Sequence, residues 1–116
     1  MSTVAIVLTA LVALLHAYIL YLEMFAWEAK RTRKVFGTTE EFAKSTKVLA
    51  ANQGLYNGFL SAGLFWGLIA GKTDVVVFFL LCVCVAAIYG ASTVTKKILL
   101  TQGLPAFLAL VAVLVL

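Results

Sequence analysis

The chain has 116 residues, 64% hydrophobic and 12% charged, with a formal net charge of +4. A soluble domain of this size cannot bury so much apolar surface, so a mean hydropathy of +1.09 points to an integral membrane protein and away from soluble enzymes and nucleic-acid binders. The apolar runs are continuous rather than alternating, which disfavours a transmembrane β-barrel.

Four segments reach the length of about 20 apolar residues that crosses hydrocarbon as a helix. They are residues 3–27, 48–70, 75–94 and 98–116. The expected architecture is therefore all-α: a single domain, residues 1–116, folded as an up-down four-helix bundle in the membrane. The first segment lacks a basic leader and is too long for a signal-peptide core, so it reads as a retained helix. It carries Thr9, His16 and Glu23 at intervals of seven, which places them on one helix face.

The first connection is long and basic, with Lys30, Arg31, Arg33, Lys34, Lys44 and Lys47; the third holds Lys96 and Lys97; the second holds only Lys72. By the positive-inside rule, the first and third connections are cytoplasmic and both termini lie outside. The run 30–34 also lies where anionic headgroups attract it. Within the first connection, Thr39 followed by Glu40 and Glu41 reads as a capped helix start.

The second segment opens with residues 51–58, which include Asn52, Gln53, Tyr56 and Asn57. A carboxamide in hydrocarbon needs a partner, so this stretch is expected to face protein, a cavity or a ligand rather than lipid. Asn52 with Tyr56, and Gln53 with Asn57, form two adjacent i,i+4 stripes. Gly54 with Gly58, and Gly63 with Gly67, have the small-xxx-small spacing of close helix contacts. These faces also motivate the expectation of a homo-oligomer. Thr73 or Asp74 is the expected cap of the third segment. Cys82 and Cys84, two apart on a helix, point to different faces and read as structural thiols, with no metal site indicated. The third segment ends with Tyr89, Ser92 and Thr93. In the fourth, Pro105 removes a backbone donor, so the helix is expected either to kink or to start its regular part near that residue.

With this topology the polar groups converge in the cytoplasmic half. Glu23 is the membrane-embedded acid and hence the leading functional candidate. The ligand-binding set is His16, Glu23, Asn52, Gln53, Tyr56, Asn57, Tyr89 and Gln102. Any catalysis would run through Glu23 as proton carrier with Tyr56 or Tyr89 polarising the substrate. The expected ligand is a small amphipathic or lipidic molecule; no cofactor is indicated. The alternatives are a structural or assembly protein whose polar groups lock helices together, and a transporter subunit.

Residues 16–19 (His-Ala-Tyr-Ile), 22–27 (Leu-Glu-Met-Phe-Ala-Trp), 51–59 and 103–105 (Gly-Leu-Pro) resemble the family known as domain of unknown function 1304, DUF1304. That resemblance implies a small four-helix membrane protein, mainly bacterial, and a multi-pass location in the inner (plasma) membrane. More loosely, the chain is similar in architecture to the membrane-associated eicosanoid and glutathione metabolism (MAPEG) proteins. That likeness implies an oligomeric glutathione-type transferase or isomerase with Lys47 and Asn52 in the comparable region. The arginine and following glutamate of that family's second helix are absent here.

Overall fold

The computed structural model describes all residues, Met1–Leu116, and is entirely helical outside its turns. The order is α1 (Thr3–Phe25), α2 (Lys30–Phe36), α3 (Glu40–Ser45), α4 (Lys47–Ile69), α5 (Thr73–Thr93), a π-helical turn (Leu99–Gly103) and α6 (Leu104–Val115). Of the four segments expected to span, α1 and α5 are long and apolar enough to cross a membrane. α4 equals α1 at 23 residues, but its first half carries Lys47, Asn52, Gln53 and Asn57. The last apolar rod, Leu99–Val115, is shorter.

Local chemistry explains the boundaries. α2 and α4 end alike. Gly37 (φ 68°) and Gly71 (φ 64°) adopt the left-handed conformation that glycine tolerates. Beyond them Thr38 N–H bonds to Arg33 O at 3.0 Å and Lys72 N–H to Gly67 O at 2.8 Å, the six-to-one bond of a Schellman ending. α3 starts as its sequence indicates: Thr39 Oγ1 accepts from Phe42 N at 3.1 Å, and Glu40 and Glu41 occupy the first turn. The cap expected for α5 is different. The helix begins at Thr73 itself, with Lys72 before it making no side-chain cap, and Asp74 accepts from Val75 N at 2.9 Å within the first turn. An acid there still favours the helix through the dipole.

Pro105 is accommodated by changing helix type. Before α6 the backbone widens to the π pattern, and Leu104 N–H bonds to Leu99 O five residues back. Proline then falls in the first turn of α6, where its missing N–H has no intrahelical acceptor to leave unmade. The rod therefore starts its regular part at Leu104 without breaking.

The chain divides into two compact units. One comprises Met1–Leu14 with Leu60–Leu116, the other Leu15–Phe59. The first has a core of Val12, Ala13, Leu64, Val76, Leu80, Val83, Ala106 and Ala109. Its helices approach closely. A Cβ on Gly63 would overlap the Phe79 ring, one on Gly67 would lie 2.6 Å from Val76 Cγ2, and one on Gly103 3.2 Å from Ala87 Cβ. Ser61 Oγ donates to Ala13 O at 2.7 Å, so a buried hydroxyl is satisfied by a neighbouring helix's backbone. Cys82 and Cys84 are free and half-buried.

The second unit holds the end of α1, the α2 and α3 turns and the start of α4. Trp27 organises it: its indole Nε1–H donates to Thr46 Oγ1 at 3.1 Å, and its ring meets Phe36 edge-on with centroids 5.0 Å apart. Thr46 Oγ1 itself donates to Phe42 O at 2.7 Å. Trp27→Phe keeps the ring contact and removes the indole donor. It should therefore cost about 1 kcal/mol, the net worth of one hydrogen bond, in chemical denaturation of the purified protein.

Candidate functional site

In the second unit α1 and α4 run antiparallel, and glycine sets their separation. A Cβ on Gly54 would lie 2.7 Å from Met24 Cγ, 3.0 Å from Glu23 Cβ and 3.2 Å from Leu20 O; a Cβ on Gly58 would overlap Leu20 Cδ1. Only hydrogen fits at Gly54 without displacement. The two glycines, one turn apart, bring α1 nearly to backbone contact with α4.

The carboxamides sit one residue before each glycine, and the close approach puts them within reach of α1. Gln53 Nε2–H donates to Glu23 Oε2 at 2.8 Å and Asn57 Nδ2–H donates to Oε1 at 2.6 Å. Glu23 is only 2% exposed. A carboxylate removed from water needs donors on both oxygens, and here each oxygen has one. The donors differ in burial: Gln53 is exposed and Asn57 half-buried. Lys47 does not approach Glu23. It pairs instead with Glu28 at 3.2 Å, in an exposed ion pair.

The remaining expected site residues are placed as follows. His16 is fully buried on α1, two turns before Glu23, a rise of about 10 Å. Asn52 is exposed and donates to its own helix, to Val48 O at 2.9 Å. Tyr56 is 65% exposed and packs edge-on against Phe59. Of the two stripes on α4, the one formed by Gln53 and Asn57 meets α1, while the one formed by Asn52 and Tyr56 is turned outward. Tyr89 and Gln102 belong to the other unit; Tyr89 is exposed and Gln102 half-buried. Ser92 and Thr93 both donate to Tyr89 O at 2.8 Å, so they serve the end of α5.

Sequence reasoning placed the acid and the carboxamides in one polar layer but did not select Gln53 and Asn57 as the partners of Glu23. The signal that would have joined them is the register of Gln53 and Asn57 with Gly54 and Gly58, since donors beside a small-residue seam are those that can reach across it. The glycine faces taken as a reason for a homo-oligomer are occupied within the chain, so they carry no argument for a second copy.

A relative from Lactococcus lactis subsp. lactis (strain IL1403), described as uncharacterized protein YpaA, is 40% identical over 116 aligned residues that cover 97% of this chain and 98% of the relative. No solved structure matches the chain. The family model described as "Protein of unknown function (DUF1304)" matches residues 10–114, almost the whole length, and the chain belongs to that family.

Proposed function

We propose that this is a multi-pass integral membrane protein whose Glu23 site holds the polar end of a small amphipathic or lipidic molecule. In this reading α4 and the last rod cross the bilayer beside α1 and α5. The termini lie outside, and α2 and α3 lie at the cytoplasmic face of a bacterial plasma membrane. Exposed apolar side chains such as Phe78, Val85, Ile88, Phe107 and Leu114 support contact with lipid. The clustering of Lys30, Arg31, Arg33 and Lys34 immediately after α1 supports the orientation.

The observation that carries the ligand reading is the Glu23 carboxylate, buried yet held by neutral donors of which one, Gln53, is exposed. An acid in a membrane helix is costly and is retained where it serves a site. The test is thermal stabilisation of the purified protein across lipids, quinones, thiols and amines, in wild type and Glu23→Gln. A ligand that raises Tm in the wild type and not in the variant supports the site. No response from any class, or an equal response in both proteins, removes it.

A second reading rests on the same contacts. Both carboxylate oxygens are satisfied within the chain, as they would be in a helix-locking device of a structural membrane protein. Under that reading Glu23→Gln loses stability and no added molecule restores it.

A further inference from the structure

We infer that the ligand of the Glu23 site presents a hydrogen-bond-donating cation, an ammonium on an amphipathic tail, which takes the place of the Gln53 amide. This inference rests on the ligand-site reading above and narrows it to one chemical class. Glu23 accepts at both oxygens, from Gln53 Nε2 at 2.8 Å and from Asn57 Nδ2 at 2.6 Å. Neither donor carries charge. The ion pair in the structure joins Lys47 to Glu28, so the nearby lysine is engaged elsewhere. A buried carboxylate held only by neutral amides binds a cation better than any neutral or anionic group, because attraction strengthens as water is excluded.

The two amides are not equivalent as gates. Asn57 is half-buried, makes the shorter bond and has a short side chain. Gln53 is exposed on a longer, more flexible stem. Rotation of Gln53 uncovers Oε2 while Asn57 still holds Oε1. A group entering there must offer a donor to that oxygen, which an ammonium does and a carboxylate, phosphate or quinone carbonyl does not. The tail has a place beside it. Leu49 and Tyr56 lie four residues before and three after Gln53, next to it on the outward side of α4, and both are well exposed. Tyr56 also offers an aromatic face to a cation.

The test uses the full chain in nanodiscs of zwitterionic lipid with four eight-carbon probes: octylammonium, octyltrimethylammonium, octanoate and octanol. Octylammonium should raise Tm saturably. Octyltrimethylammonium, which has charge but no N–H, and octanol, which has a donor but no charge, should each act more weakly, and octanoate not at all. Glu23→Gln should abolish the amine response. Gln53→Ala leaves the acid and its buried partner in place and removes the competing donor, so it should lower the half-saturating octylammonium concentration several-fold. An amine response that persists in Glu23→Gln, or is unchanged in Gln53→Ala, overturns the inference. A Glu23-dependent response to octanoate or octanol but not to the amine overturns the cation assignment and leaves the site standing. Silence from all four probes and from the wider ligand panel overturns both.

Discussion

Asn57→Leu is expected to destabilise the protein by about 3 kcal/mol, because it leaves one oxygen of a buried carboxylate without a donor. Asn57 makes the 2.6 Å bond to Glu23 Oε1 from a half-buried position, where water does not readily replace it. Gln53→Ala removes the partner of Oε2, but Gln53 is exposed and its place can be hydrated. Its cost should be about 1 kcal/mol, near the net worth of an ordinary hydrogen bond. The double variant Glu23→Leu/Asn57→Leu should recover most of the loss, since removing both partners leaves neither unsatisfied. Chemical unfolding of the purified proteins measures all of these. Equal losses in the two single variants would mean that Glu23 is hydrated in solution and that the difference in burial between its donors has no energetic weight.

Gly54→Val is the second large effect, a loss of about 3 kcal/mol, the upper end of typical overpacking. Even one added carbon at Gly54 meets Glu23 Cβ at 3.0 Å and the Leu20 carbonyl at 3.2 Å, and neither can move without moving α1. Gly58 makes a useful control. Its Cβ would overlap only the far end of the Leu20 side chain, which can turn away. The gain of about 1 kcal/mol for alanine over glycine inside a helix should then offset the adjustment, leaving Gly58→Ala near neutral. Melting curves of the two variants decide it. A tolerated Gly54→Val would mean that α1 and α4 are not in backbone contact, and the two amide bonds to Glu23 would lose their geometric basis.

Helical character was the most legible property of the sequence, because long apolar runs between charged stretches leave few alternatives. Thr39 with two following acids was legible as a helix start for the same reason that it caps one: a hydroxyl accepting a backbone N–H is a local interaction. Lys30–Phe36 was not legible as a helix. Four of its seven residues are basic and it has no apolar period, so its helicity depends on the Schellman ending at Gly37 and on burial of Thr32. Pro105 announced a disturbance without its form, since a kink, a fresh start and a π-turn all satisfy the same missing donor.

At the site, residue types were legible and partners were not. Spacing grouped Gln53 with Asn57 and Asn52 with Tyr56, but adjacent stripes on one helix look alike until a neighbour selects one. Close packing at Gly54 made that selection, which is a property of α1 and α4 together. Glu23 stood out as an acid in an apolar run, yet a snorkelling residue has the same sequence signature. Its 2% exposure separates the two.

The sequence separation of the Glu23 bonds has a consequence in time. Gln53 and Asn57 lie 30 and 34 residues after the acid they satisfy. At about 5–20 residues per second, a ribosome that has added Glu23 takes about 2–7 s more to supply Asn57. For that interval the nascent helix carries an acid whose donors do not yet exist. A chain that stalls within the α2–α3 stretch would keep both oxygens of that acid without their donors.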